Sequence, residues 1–378
     1  MSNYLPTDLV LEILCKLPVK SLVRFLTVSK SWRSIITTPA FIASHLSNAK
    51  NRTLVHEKEL HSFLTIAENG PFGTFSSSSK LEFPFKSDQT FRIVGSCDGL
   101  ICLSDDEFRD SSQCSIIIWN PSVRNHRVLP NPTINPKTPH FVVLGFGVAS
   151  HAYKVVRLVY CMKPNDINLS FMQLVEIFSL ETWSWRKWGE VDLIPPHVFP
   201  STTCPSVFSN GVVHWLSEDD SFRRSSILAF DVGDEVLGDV MLPDELAACV
   251  YESLLMLRIF VIGESLGAVK YDRGNTSCDV WVMKEYCVRE SWTKLYTIRL
   301  LNVVSRVIGF WKSGEALLFL YRQGIAPYTD RSVRFCLVVY NPDTRQTKDL
   351  GIYGSGCFYV NSYVESLLLL RIGGELIQ

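Results

Sequence analysis

Apolar residues recur with two different periods along this chain, and the change falls near residue 50. Up to residue 46 they are spaced three or four positions apart, as in Leu9, Ile13 and Leu17, which is typical of amphipathic helices. Beyond residue 50, short aliphatic and aromatic runs alternate with Gly, Pro, Asn and Asp, which is typical of strands and turns. The pattern therefore predicts a small helical module followed by a large β-rich domain.

The helical part is predicted to contain three helices and one further turn. Pro6 suits the first turn of the first helix, and Pro18 ends that helix. The second helix carries Leu22, Phe25 and Leu26. The third opens near Ser29, carries Trp32, Ile35 and Ile36, and ends before Pro39; Phe41, Ile42 and Leu46 add one more turn. A module of this size buries little surface alone, so it is either a cap on the following domain or an interface that a partner completes.

The β-rich part contains an internal repeat in which an aliphatic run ends in an aromatic residue and a turn. The aromatic residues stand at intervals of 51 to 59 residues: Trp119, Phe178, Phe230, Trp281 and Tyr340. A hairpin-like pair of strands precedes each of these segments, and another strand candidate follows it. Four strands in each unit is the arrangement of a β-propeller blade.

Five such units are complete, and the two ends of the domain are predicted to form a sixth. We expect Phe358–Val360 and Leu367–Leu370 as its first two strands, and Phe63–Ile66 and Leu81–Phe83 as its last two. Closing the ring in this way removes the exposed sheet edges. The expected fold is thus α+β and multidomain, with a three-helix module at residues 1–46 and a six-bladed propeller at 47–378. A pair of β-sandwiches is the competing architecture.

Composition and charge exclude some classes of function. The 378 residues carry a net charge of −1, which argues against nucleic-acid binding because that needs a basic face. The longest aliphatic run, Leu367 to Leu370, is too short to span a bilayer. Met1–Tyr4 leads directly into a helix-start pattern, so we expect no signal peptide, no membrane insertion, and the cytoplasm or nucleus as the compartment.

The sequence contains no motif that predicts catalysis, a metal or a cofactor. None of the eleven cysteines forms a Cys-x-x-Cys pair or lies at zinc-ligand spacing with histidines. No nucleophile elbow, His-Glu-x-x-His pair or phosphate-binding Gly-rich loop is present. We expect His214 to be a core or channel residue, and the acidic pairs at 105–106 and 219–220 to be solvated. Carboxylates that converge across the propeller channel would still permit a catalytic role.

The helical module closely resembles the F-box. The resemblance rests on ordered elements at family spacing: Leu5-Pro6-x-Asp8-Leu9, Ile13-Leu14-x-x-Leu17-Pro18, Lys20-Ser21-Leu22 and Val28-Ser29-Lys30-x-Trp32. With the β-rich domain that follows, the chain resembles the large plant F-box family that carries an F-box-associated interaction domain. The Gly-Gly pair of kelch repeats is missing, so the likeness to kelch proteins is one of architecture.

The resemblance implies the substrate-recognition subunit of an SCF-type (Skp-cullin-F-box) ubiquitin ligase, a non-catalytic role. In this family the F-box binds an Skp-type adaptor held on a cullin, whose RING partner recruits the ubiquitin-conjugating enzyme. The docking set carried over is Leu5, Pro6, Leu9, Ile13, Leu14, Leu17, Pro18, Leu22, Val28 and Trp32, although Ile13 and Trp32 in particular could instead hold the helices together. Five Lys/Arg against two acids in residues 1–46 favour an acidic partner.

Candidate target-binding loops lie between the second and third strands of the repeat units. They are polar, vary in length and all emerge on one face: Ser104 to Ser115, Met162 to Ser170, Ser217 to Ser226, Asp272 to Ser277 and Arg322 to Ser332. The target protein is left open, since members of the family act in processes as different as immune-receptor turnover and pollen self-incompatibility. A protein- or glycan-binding module that sequesters its ligand without ubiquitination is the alternative function.

Overall fold

The computed structural model consists of four short helices followed by an all-β domain. The residues that it describes are 6–57, 62–67, 78–83, 91–105, 114–138, 140–162, 171–188, 198–201, 204–219, 224–248, 256–300, 305–311, 313–321, 335–354, 358–369, 371–372 and 375–376. The helices are α1 (Thr7–Cys15), α2 (Val19–Phe25), α3 (Lys30–Ile36) and α4 (Pro39–Ser47).

Side-chain caps and prolines explain where these helices begin. The Ser29 hydroxyl accepts a hydrogen bond from the Trp32 amide at 3.4 Å, and the Thr38 hydroxyl accepts one from the Phe41 amide at 3.2 Å. Pro39 occupies the first turn of α4, where a missing N–H costs nothing. The helix positions follow the sequence prediction, except that α4 is a nine-residue helix and not a single turn.

The β domain is a propeller of six antiparallel blades, as the repeat predicts. The blades, each written from its first strand, are as follows: blade 1, β25 (Phe358–Val364), β1 (Asn51–Glu57), β2 (Ser62–Ala67) and β3 (Ser78–Leu81); blade 2, β4 (Arg92–Cys97), β5 (Leu100–Ser104), β6 (Ile116–Asn120) and β7 (Asn125–Val128); blade 3, β8 (His140–Ala149), β9 (Ala152–Met162), β10 (Phe171–Ser179) and β11 (Ser184–Lys187).

The remaining blades follow the same order along the chain. They are blade 4, β12 (Val198–Pro200) and β13 (Val207–Ser209), then β14 (Val212–Asp219), β15 (Ser225–Asp231) and β16 (Leu237–Val240); blade 5, β17 (Leu257–Ile262), β18 (Ser265–Tyr271), β19 (Ser277–Met283) and β20 (Trp292–Arg299); and blade 6, β21 (Arg306–Phe310), β22 (Ala316–Tyr321), β23 (Phe335–Asn341) and β24 (Gln346–Gly354). A short helix, α5 (Asp244–Ala247), connects blades 4 and 5, and β26 (Arg371–Ile372) pairs with β27 (Glu375–Leu376) outside the ring.

Two-residue turns fix the register of the first hairpin in several blades. Asp98 and Gly99 both have positive φ, as do Asn210 and Gly211, which is the backbone that a tight hairpin with right-handed strand twist requires. The aromatic residues used to recognise the repeat, Trp119 and its counterparts, all fall on the third strands. The inferred strand order within blades 2 to 6 is therefore confirmed.

The closing blade differs from the prediction in one strand. Its first strand is β25, and its third and fourth are β2 and β3, near the positions expected. Its second strand, however, is β1, which pairs with β25 from Asn51 opposite Val364 to Glu57 opposite Phe358. The expectation that Leu367–Leu370 forms this strand is wrong, because Leu367 and Leu369 are buried in two other hydrophobic clusters. One strand from the C-terminal side and three from the N-terminal side complete the ring.

Neighbouring blades pack through large side chains that fit against glycine. Trp215 on β14 is buried against blade 3, and its indole N–H donates to the Leu144 carbonyl at 2.9 Å. A Cβ atom at Gly145 would overlap Trp215 and Val213, and one at Gly147 would press on Phe208. Close approach of the β8 backbone to blade 4 therefore requires glycine at these positions.

Candidate functional site

The F-box helices lie at one face of the propeller. The strands alternate in direction, so the turns between first and second strands and between third and fourth strands open on one face, here termed the hairpin face. Val123, in the turn between β6 and β7, packs against the helices. So does Leu367, just beyond the end of β25. The F-box therefore contacts the propeller at the hairpin face.

The candidate target-binding loops open on the opposite face, here termed the loop face. These loops join second to third strands, as from β5 to β6 and from β18 to β19, so they emerge at the strand ends that point away from the F-box. The sequence prediction that the loops share one face agrees with this topology. Residues 106–113, 163–170, 220–223 and 322–334 lie outside the described residues. They include the whole Arg322 to Ser332 loop, most of the two loops that begin at Ser104 and Met162, and four residues of the Ser217 to Ser226 loop.

The bases of the described loops are fixed by hydrogen bonds. In the loop from Asp272 to Ser277, the Asp272 carboxylate accepts from the Thr276 and Ser277 amides at 2.7 and 3.0 Å. The hydrogen bond from the Thr276 hydroxyl, followed by the one from the Ser277 amide, lowers the pKa of Asp272. Asp105 is 4% exposed and accepts from the Ser115 amide, so the expectation that it is solvated is wrong. Both loops start from a rigid base.

The inner edge of blade 4 reaches the first strand of blade 2. The first strand of this blade is divided into β12 and β13. Between them, the Ser206 hydroxyl donates to the Val94 carbonyl on β4 at 2.8 Å. Since Ser206 belongs to blade 4 and Val94 to blade 2, this bond crosses the channel. The bond therefore ties blade 4 to a blade that is not its neighbour in the ring.

His214 lies in β14, is fully buried and has partners for both ring nitrogens. Nδ1 is 3.2 Å from the Val207 carbonyl and Nε2 is 2.8 Å from the Tyr286 hydroxyl. Burial lowers the pKa of His214 to about 4, partly opposed by the Val207 carbonyl. The neutral ring is a packed core residue, in agreement with the interpretation from sequence. Within the described part of the chain, no three His, Cys, Asp or Glu side chains are grouped so that they could hold a metal ion.

The structure divides the predicted docking set by exposure. Leu14 and Leu22 are buried in the F-box core, while Leu17 and Trp32 are half-buried at its edge, with the Trp32 ring 4.8 Å from that of Phe25. The exposed members are Pro6, Leu9, Ile13, Pro18 and Val28. Leu5 lies outside the described residues.

The exposed members form the part of the set that is free to contact a partner. Leu9, Ile13 and Val28 expose 47%, 50% and 70% of their surface. Ile13, considered as a helix-packing residue, is instead on the surface. Basic side chains accompany this apolar surface: Lys20, Arg24, Lys30 and Arg33 are exposed, while Lys16 pairs with Glu12 at 2.6 Å. No helix in the portion of the chain that the structure describes is long and apolar enough to cross a membrane.

Comparison with known proteins assigns both halves of the chain to families. Residues 3–43 match the family model of the F-box domain, and residues 57–369 match that of the F-box associated beta propeller domain. These matches cover both the helices and the ring described above. The class is thus that of proteins in which an F-box precedes a β-propeller.

Curated relatives from Arabidopsis thaliana share this organisation. The chain is 30% identical to the F-box protein At3g07870 over 93% of its own length and 88% of the relative's. It is 26% identical to the F-box/kelch-repeat protein At3g23880 (89% and 91%) and 30% identical to the F-box protein CPR1 (78% and 73%). The chain belongs to the plant F-box proteins with an F-box-associated β-propeller domain.

Proposed function

We propose that this protein is the substrate-recognition subunit of an SCF-type ubiquitin ligase. In this proposal the F-box docks on an Skp-type adaptor, which links it to a cullin and its RING partner, and the propeller binds a target protein for ubiquitination and proteasomal degradation. The protein itself contributes no catalytic group. Family membership supports adaptor docking, and the exposed apolar residues of α1 and of the α2–α3 junction are the observation that carries it.

Exposed leucine and isoleucine side chains on so small a module favour a partner-covered surface. The F-box core is already formed by Leu14, Leu22 and their neighbours, so Leu9, Ile13 and Val28 have no packing role within the helices. Covering an apolar side chain with a partner contributes roughly 25 cal/mol per Å² of area removed from water. The four exposed basic residues would speed encounter with an acidic adaptor surface.

Separation of the two faces supports target recognition by the propeller. With the F-box on the hairpin face, the loop face stays open to a protein while the adaptor is bound. Loops on a rigid scaffold are the usual carriers of recognition. We further propose a cytoplasmic or nuclear location, which the free thiols of the described cysteines favour.

A pull-down with paired variants tests this function. Wild type and a Leu9→Glu/Ile13→Glu variant would be expressed in plant cells with the proteasome inhibited, and captured proteins quantified. We expect adaptor and cullin on wild type and their loss from the variant, with target proteins retained by both. Retention of adaptor by a folded variant would contradict the docking assignment.

The alternative function is a binding module that sequesters its ligand without ubiquitination. The F-box favours ligase assembly, and the two functions differ in a measurable outcome. Targets captured by both forms would be followed for ubiquitin conjugates and half-life in cells that contain wild type or the variant. Ubiquitination and turnover that require Leu9 and Ile13 support the ligase, whereas targets that are bound but never modified support sequestration.

A further inference from the structure

The F-box core contains a residue from the far end of the chain. Six of its buried hydrophobic residues come from the helices: Leu14, Val19, Leu22, Ile36, Phe41 and Ile42. The seventh is Leu367, which follows β25 and has no exposed surface. Residues 365–369, here termed the strap, thus reach the helices from the last strand of the ring.

The propeller holds the strap by its backbone. The Asn120 side-chain amide is fully buried at the end of β6 and donates to the carbonyls of Ser366 and Leu368 at 3.1 and 2.9 Å. It also lies 3.1 Å from the Ser366 hydroxyl, and its own oxygen accepts from the Ser122 amide at 2.9 Å. The Asn125 amide group donates to the Leu369 carbonyl at 3.2 Å. These bonds leave the strap backbone little freedom to shift.

The strap also packs into the propeller itself. Leu369 is 1% exposed within the cluster shared by blades 2 and 3, with φ +68°. Gly99, at φ +82°, admits the strap because a Cβ there would meet the Val364 carbonyl and the Ser366 side chain. Leu367 and Leu369 therefore anchor one short segment in two different cores.

We propose that the strap is an integral part of the adaptor-docking module, in which Leu367 completes the F-box core and Asn120 holds Leu367 in place. A helical module of about 40 residues buries too little surface to be stable alone, so one lost core leucine removes a large share of its stability. The F-box can then bind its adaptor only when the ring is closed by β25. The expected effect of the strap on adaptor binding rests on the proposed function, whereas its effect on the stability of the helices does not.

The test uses the full-length protein and one matched pair of substitutions. Leu367→Ser removes the strap side chain, and Leu295→Ser makes the same change at a half-exposed position on the outer strand of blade 5. Hydrogen exchange is followed by mass spectrometry for residues 7–47 and for strand β10 as an internal reference. Affinity for a purified Skp-type adaptor is measured in parallel.

We expect Leu367→Ser to accelerate exchange in the F-box helices by a factor on the order of thirty or more, with β10 unchanged, and to weaken adaptor binding at least tenfold. Leu295→Ser changes neither. A second variant, Asn120→Ala, frees the strap backbone while keeping Leu367, and is expected to change both readouts in the same direction by a smaller factor. This result would show that the F-box needs both the Leu367 side chain and the hydrogen bonds that hold the strap backbone in place.

Two results would overturn different parts of this inference. Unchanged exchange of residues 7–47 in Leu367→Ser would show that the strap is a passive tether. Faster exchange in that variant, together with no adaptor binding by wild type, would support the role of the strap in the F-box core and overturn the proposed function. Faster exchange with undiminished adaptor affinity would show that the strap stabilises the helices but is not needed for adaptor binding.

Discussion

Glu176 and Arg157 lie opposite each other on β10 and β9 and form an ion pair from which solvent is excluded. Their side chains are 0% and 1% exposed. The second Glu176 oxygen accepts from the Thr133 amide and hydroxyl at 3.0 and 2.8 Å and from the Ile134 amide at 3.1 Å, while Arg157 donates to the Ile134 carbonyl at 2.8 Å. The pair thereby fixes the connection between blades 2 and 3.

Removing the charge of Glu176 leaves a buried guanidinium uncompensated. We expect Glu176→Gln to lower the free energy of unfolding by about 3 to 5 kcal/mol. The matched control is Asp244→Asn, which weakens exposed contacts with Arg224 and Arg289 and is expected to cost about 1 kcal/mol or less. Urea unfolding of both variants measures the difference. Equal losses of unfolding free energy would show that the buried ion pair contributes no more to stability than the exposed ones.

Burial of neutral His214 makes stability depend on pH. Because its folded pKa of about 4 is below the ordinary value near 6.5, its contribution is complete above pH 6.5 and is lost as pH falls toward 4. Between pH 7 and pH 5 this one residue should account for a loss of about 2 kcal/mol. Urea unfolding of wild type and His214→Gln at both pH values isolates the effect. A variant with the same pH dependence as wild type would contradict the assignment.

Gly145 is required by the packing of blade 3 on blade 4. A methyl group there would overlap Trp215 and Val213, so Gly145→Ala is expected to destabilise the protein by about 1 to 3 kcal/mol. Gly238 on β16 has open space around its Cβ position, so Gly238→Ala should be neutral or slightly stabilising. Thermal unfolding compares them, and a similar Tm for both variants would be inconsistent with the packing described here.

Exposure separates the predicted docking residues of the F-box from its core residues. Val28→Glu changes a side chain that is 70% exposed, so we expect weaker adaptor binding with an unchanged Tm. Leu22→Ala removes a fully buried side chain and should cost about 2 to 5 kcal/mol of stability. Calorimetric titration with the adaptor and thermal unfolding separate the two effects. Loss of stability in Val28→Glu would place that residue in the core.

The repeat was readable from sequence because most third strands, such as β6, β15 and β23, are largely buried on both faces. Strands such as Ile116–Asn120 are almost continuously apolar and end in an aromatic residue and a turn, and this local pattern fixes strand order without any long-range information. The hairpin signals at Asp98-Gly99 and Asn210-Gly211 are equally local. The fold class and five of the six blades therefore followed from residues that are close in sequence.

The closing blade could not be read in the same way. Strand β1 carries Arg52, Thr53 and His56, and its pairing with β25 joins segments from opposite ends of the chain. The apolar run at Leu367–Leu370 had the composition of a strand, but Leu367 is buried in the F-box core and Leu369 in the cluster shared by blades 2 and 3. Periodicity detects burial and does not identify what a residue is buried against.

The candidate site shows the same limit. Family spacing predicts the docking set, yet nothing in the sequence distinguishes buried Leu14 from exposed Leu9, since both fit the helical pattern. The Glu176–Arg157 pair and the bond from Ser206 to Val94 are equally hidden, because each depends on register or on a break in an inner strand. Such contacts form only in the tertiary fold, so local sequence patterns do not predict them.

The position of Leu367 also sets the order of events during synthesis. Chains emerge N-terminal end first at roughly 5 to 20 residues per second, and 325 positions separate Ile42 from Leu367. The F-box helices thus leave the ribosome roughly 15 to 65 s before their last core residue. A nascent or truncated chain that stops short of Leu367 carries the complete F-box sequence without a complete F-box core. Under the proposed function, ribosome-bound intermediates should therefore bind the adaptor poorly, and the adaptor should bind finished protein instead.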